Sequence, residues 1–165
     1  MILITGSTGL IGSEVLRRLS QAGIPARALT RDLKKSQKIP GVTWVAGDLG
    51  KPETLPAAFE SAKMLFLLTH YLEDVVELQH NAIAAAHGTG LSHVVSQHSP
   101  PPPAHRLRIG RWHYQVKKEL QESGLAWTIL RPRPRTSSKK VSSTRLPETE
   151  RFLTSLAAMW QRLPS

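Results

Sequence analysis

A chain of 165 residues, 40% hydrophobic and 21% charged, has the composition of a folded domain and is too short for a cofactor domain plus a substrate domain of ordinary size. It contains no cysteine, which excludes a disulfide framework, a thiolate metal site and a cysteine nucleophile together. The net charge of +10 is uneven: the first 130 residues hold 14 basic and 10 acidic side chains, and residues 131–165 hold 8 and 2.

Ile2 to Thr5 is a short apolar run ending at Gly6, after which Leu10, Ile11, Val15, Leu16 and Leu19 recur at helical spacing as far as Gly23. The opening reads as a strand and not a signal peptide, because no basic stretch precedes it, and a cytoplasmic protein is expected. Ala26 to Thr30 is a second strand, with Pro25 at its entry where a missing amide costs least. Lys34 to Gly41 forms a basic connector, and Val42 to Ala46 a third strand closed by Gly47-Asp48-Leu49. Pro52-Glu53 suits the first turn of a helix running through Ala62. Met64 to Leu68 is a fourth strand without alternation, the pattern of a parallel strand covered on both faces. A helix from Asp74 to His87 follows, with Val75, Leu78, Ala82, Ala85 and Ala86 on its buried side, then a fifth strand from His93 to Ser96. Pro100 to Pro103 marks a stiff surface loop. Trp112 to Glu122 reads as a helix ended by Gly124, and Trp127 to Leu130 as a sixth strand.

Strands alternating with helices predict an α/β fold, a doubly wound parallel sheet of order 3-2-1-4-5-6, over residues 1–132. Residues 133–165 are expected to form a basic tail with one amphipathic helix, Glu148 to Arg162. Its stripe of Phe152, Leu156, Trp160 and Leu163 would pack on the sheet edge or in a homo-oligomer. A basic tail can hold phosphate polymers, but a solvated segment has the same composition, so nucleic acid is not the partner this charge favours. No apolar run approaches the length that crosses a membrane, and no membrane partner is expected.

Gly6-Ser7-Thr8-Gly9-Leu10-Ile11-Gly12 lies between the first strand and the first helix, the context in which a glycine-rich turn can seat a dinucleotide. Gly6 permits the tight turn, Gly9 lets backbone approach a pyrophosphate, and Gly12 lets helix and strand pack closely. The helix amino end then offers amides and positive dipole to the phosphates. At the end of the second strand a carboxylate would bind the ribose 2′-hydroxyl of NAD. Here Arg31 follows Thr30, and a guanidinium matches a 2′-phosphate, which favours NADP with NAD as the alternative. Asp32, next in sequence, points to the same region or pairs with Arg31.

Together the glycine turn, Ala28-Leu29-Thr30-Arg31-Asp32, Gly47-Asp48-Leu49, Asn81 to Ala86, Arg111-Trp112-His113 and Thr128 to Pro132 resemble the NmrA-like family of atypical short-chain dehydrogenases/reductases. The resemblance spans residues 1 to about 132. It implies an NAD(P)-binding fold and a function among NADPH-dependent quinone or related reductases, or among relatives that bind the nucleotide as redox-sensing regulators. It also implies that Asp48, with Leu49 beside it, meets adenine and that Thr69 stands near the nicotinamide ribose. Beyond Pro132 the family's aromatic and amide-bearing loop is replaced by basic, serine-rich sequence, so a chain shortened after the sixth strand is expected.

Tyr114 and Lys118 have the Tyr-x-x-x-Lys spacing of a proton-transfer dyad. Counting back from Ser123-Gly124-Leu125, however, His113 falls at the family's lysine position and Ile109 at its tyrosine position. The Tyr-x-x-x-Lys pair is thus a chance match, and His113, which resembles the histidine of the family's Arg-Trp-His element, is the candidate catalytic residue, able to contact the nicotinamide ribose or relay a proton. His98 falls near the carboxyl edge beside Ser96 and Ser99, where the family places a serine. His70, His80, His87 and His93 share no helix face, and no metal site is expected.

Overall fold

The structure, a computed structural model, describes residues 1–70, 73–98 and 106–130. The proline run, the 133–145 segment and the tail helix expected at 148–162 lie outside these residues. Six parallel strands, β1 (Ile2–Ile4), β2 (Ala26–Thr30), β3 (Val42–Ala46), β4 (Met64–Leu67), β5 (His93–Gln97) and β6 (Ala126–Leu130), form one sheet. Their order is β3-β2-β1-β4-β5-β6, so the doubly wound α/β arrangement read from the sequence is the fold. The helices are α1 (Leu10–Gln21), α2 (Leu55–Phe59), α3 (Val75–Gly88) and α4 (Arg106–Glu122).

The period of two in a strand divides the core. Ile2, Ile4, Met64, Phe66 and Val95 meet Val15, Leu16 and Leu19 of α1 on one face. Leu3, Leu65, Leu67 and Val94 meet α2, α3 and α4 on the other, through Leu55, Phe59, Ala82, Ile83, Val116 and Leu120. All four residues of β4 are buried, which is why that strand shows no polar alternation.

Two helices depart from the sequence reading. The segment from Pro52 is a 3-10 turn to Thr54 followed by α2, which stops at Phe59, short of Ala62. The backbone reverses at Ser61, with φ of 62°, and the Ala62 amide donates to the Phe59 carbonyl. Helix α4 begins at Arg106, six residues before Trp112. Gly110 lowers helical propensity there, but Ile109 is buried in line with Val116 and Leu120, and packing of that stripe overrides propensity.

His93 of β5 is half-buried, with Nε2 3.1 Å from Thr128 Oγ1. Burial holds its pKa below the ordinary 6.5, so the folded state keeps the ring neutral where the unfolded chain takes up a proton. Its contribution to stability is complete above pH 6.5 and is lost as the pH falls through the lower folded value. His93→Gln is expected to flatten the decline of unfolding free energy below pH 6.5, as read by denaturant titration at a series of pH values. An unchanged slope would show that the ring stays solvated.

Candidate functional site

The chain leaves β1 toward β2 and β3 on one side and returns through β4 to β5 and β6 on the other. The loops after β1 and β4 therefore diverge and leave a crevice at the carboxyl edge, where open α/β sheets bind ligands. A buried threonine joins the two sides: Thr5 Oγ1 donates to the Leu68 carbonyl at 2.8 Å and accepts from the Leu68 amide at 2.7 Å.

The glycine turn fills the β1 side. Gly6 has φ of 59°, a backbone state that disfavours a side chain. A Cβ at Gly12 would stand 2.2 Å from the Gly6 carbonyl oxygen and 2.9 Å from Ser7 Cα, so only glycine lets α1 start this close to the turn. The Gly9 amide donates to the Gly6 carbonyl at 3.0 Å. Ser7 is buried and its hydroxyl donates to the Ile4 carbonyl at 2.6 Å, which leaves its backbone, and not its side chain, to face a ligand. Thr8, Gly9 and Ile11 are exposed, and Leu10 is 90% exposed. Helix α1 has no side-chain cap and no acidic residue in its first turn, so its first amides and its positive dipole end face the crevice unopposed.

Beyond the β2 tip, Arg31 is exposed. Asp32 Oδ1 accepts the Lys34 amide at 2.9 Å and caps the 3-10 turn Leu33–Lys35, so the carboxylate closes a local turn. That turn brings Lys35 round to the glycine loop. A cleft of about 220 Å³ is lined by Ser7, Thr8 and Ser13 on one side and by Lys35, Gln37, Ile39 and Trp44 on the other. Trp44 Nε1 donates to the Gln37 carbonyl at 2.7 Å, fixing the outer wall. The sequence reading treated Lys35 as part of a connector, whereas Trp44 both packs against the core and walls the cleft. The available signal was Asp32 two residues before Lys34, an Asx-type turn that folds the connector back.

Asp48 is half-buried and its Oδ1 accepts the Gly50 amide at 3.0 Å. Leu49 packs in the core with α2 and α3, and its carbonyl accepts from Asn81 Nδ2 at 2.8 Å. Leu49 thus anchors the β3 loop while its side chain points inward.

On the β4 and β5 side stand Thr69, half-buried, and His98, buried just past β5, whose amide donates to the Leu130 carbonyl at 2.9 Å. His113 of α4 stacks on His98, with ring centroids 4.2 Å apart and planes 10° from parallel. Thr69 Oγ1 accepts from Gln79 Nε2 of α3 at 2.7 Å, a partner that sequence reasoning did not single out. The signal for it was a polar residue set beside Leu78 on the buried side of an otherwise alanine-rich helix. Tyr114 is 69% exposed, and Lys118 reaches Glu122 at 3.7 Å, so both lie on the solvent side of α4. Among the described residues no three His, Asp or Glu side chains converge as a metal site, and no helix is long and apolar enough to cross a membrane.

The sequence profile of the NmrA-like family matches residues 1–130. Over 135 residues the chain is 42% identical to the NAD(P)H azoreductase of Xenophilus azovorans, covering 80% of this chain and 47% of that enzyme. It superimposes on the NADPH-dependent quinone oxidoreductase of Escherichia coli, solved with NADPH, at a TM-score of 0.68 and 25% identity, covering 79% of this chain and 48% of the other. Citrobacter sp. triphenylmethane reductase, solved with NADP(H), shares the fold at a TM-score of 0.69 and 22% identity, with 79% and 49% covered. The chain spans about half the length of the curated relatives it matches.

Proposed function

This chain belongs to the NmrA-like family, and from that premise we propose that it binds NADP(H) at the carboxyl edge of its sheet and serves the reduction of an azo, quinone or related carbonyl acceptor. The observation that carries the reading is the glycine turn: α1 starts with its amides uncapped and so close to Gly6 that a Cβ at Gly12 would collide with the backbone of the turn. The backbone of Gly6, Ser7, Thr8, Gly9, Leu10, Ile11 and Gly12 would hold the pyrophosphate, with oriented amides in place of water. Arg31 and Lys35 would hold the 2′-phosphate, since Asp32 is engaged with the Lys34 amide and leaves that cation pair to the ligand. Asp48 would lie toward the adenine, and Thr69 toward the nicotinamide ribose.

The chemistry that NADPH would supply when held there is a hydride, two electrons, for the acceptor. A proton must reach the acceptor separately, and His113 is the group we assign to deliver it, since an imidazole gains and loses a proton near neutral pH. Its stack on His98 fixes the ring beside the carboxyl end of β5. The compartment we assign is the cytoplasm, checked by fractionating cells that express the chain.

Arg31→Ala should weaken NADP+ binding by roughly 10- to 100-fold, the loss of a charged hydrogen bond of about 1.5–3 kcal/mol, and leave NAD+ binding unchanged. Calorimetric titration with both nucleotides reads this directly, and tighter binding of NAD+ than NADP+ by the unaltered protein would overturn the preference. NADPH oxidation across a panel of azo dyes and quinones tests turnover. Binding without turnover on any acceptor would reduce the reading to a nucleotide-sensing domain.

A further inference from the structure

We propose that Gln79 is a positioning residue for the nicotinamide half of the dinucleotide, acting through the hydroxyl of Thr69; the inference rests on the dinucleotide reading above. Gln79 is 4% exposed, inside the α3 face of the core. Its Nε2 donates to Thr69 Oγ1 at 2.7 Å, while its Oε1 is buried with no hydrogen-bond partner among the described residues. An unpaired buried carbonyl oxygen is expensive, and leucine or methionine would fill the same space without that penalty. Packing therefore does not account for this amide, whereas its bond to Thr69 does.

The bond constrains the hydroxyl. A hydroxyl has one hydrogen to give and two lone pairs to receive with. With one lone pair of Thr69 occupied by the Gln79 amide, the Thr69 hydrogen is kept off that amide and left free to donate to a ligand in the crevice. The sheet order says what part of the ligand lies there. Arg31 and Lys35 stand on the β2 side of the glycine turn, so a dinucleotide seated by its pyrophosphate on α1 directs its 2′-phosphorylated adenosine to that side. Its other half must cross β4, where Thr69 follows the strand. A donor at that point suits a ribose hydroxyl or the oxygen of a carboxamide.

The test compares two probes on the full chain: NADP+, and adenosine 2′,5′-bisphosphate, which lacks the nicotinamide half. The unaltered protein should bind NADP+ more tightly than the bisphosphate. Gln79→Met should weaken NADP+ by about three- to tenfold, leave the bisphosphate unaffected, and keep or raise the melting temperature because the unpaired oxygen is gone. Thr69→Val should give the same selective loss, and the double variant no more than either alone, since the two groups act as one unit. Equal losses for both probes, a loss accompanied by a lower melting temperature in Gln79→Met, additive losses in the double variant, or no loss at all would each overturn the proposal. If the unaltered protein binds the bisphosphate as tightly as NADP+, the dinucleotide-site reading survives and the role of Gln79 falls. If it binds neither probe, both fall.

Discussion

Gly12→Ala is expected to weaken NADP+ binding by on the order of 100-fold, the scale of an ångström-size misplacement in a preorganised site. The added carbon would lie 2.2 Å from the Gly6 oxygen, 2.8 Å from the Gly6 carbonyl carbon and 2.9 Å from Ser7 Cα. All three are backbone atoms of the turn, so no side chain can swing aside to make room. Either α1 retreats from the strand or the turn opens, and both take the helix amides off the line on which they meet the phosphates. Overpacking of this kind also lowers stability by roughly 1–3 kcal/mol. Titration calorimetry together with a thermal melt separates the two effects. A variant that melts earlier yet binds NADP+ as tightly as before would show that the turn is not the pyrophosphate seat.

Phe66→Ala should produce the largest loss of stability, about 3–5 kcal/mol, as expected for an aromatic ring removed from a closed core. Phe66 is fully buried in β4, between β1 and β5, and packs toward Val15, Leu16 and Leu19 of α1. Against a total of roughly 5–15 kcal/mol for a domain of this kind, that is a large fraction, and the melting temperature should fall by roughly 10 °C. Its backbone also matters to the site, because the Phe66 carbonyl accepts the Thr5 amide at 3.1 Å just before the glycine turn. Chemical unfolding of the two proteins measures the loss. A decrease below about 1 kcal/mol would mean that the ring is not held as the core geometry requires.

The fold lay open to reading in the sequence because its signals are local. Apolar runs of four or five residues, helical periodicity between them and glycines at their joints determine a sequence of elements, and handedness rules leave few ways to arrange them. The glycine turn and Arg31 were legible for the same reason: each needs only its neighbours in the chain to identify the strand end on which it sits. Where α4 begins was not legible, because the burial of Ile109 that extends its stripe back past Trp112 is a property of the packed molecule.

The pairings at the site were decided by tertiary structure alone. Lys35 faces the glycine loop only because Asp32 folds the connector back. Thr69 and Gln79 are ten residues apart, on a strand end and a helix, and nothing in their spacing announces a hydrogen bond. His98 lies just past β5 and His113 on α4, and their stack exists because α4 sets out on its return across the sheet from the carboxyl edge at which β5 ends. The sequence by itself determined which elements form and where the glycine turn sits between β1 and α1, since those are properties of contiguous residues. Only the packed sheet could decide which side chains from separate elements meet, since that depends on the order of strands and the face each helix covers.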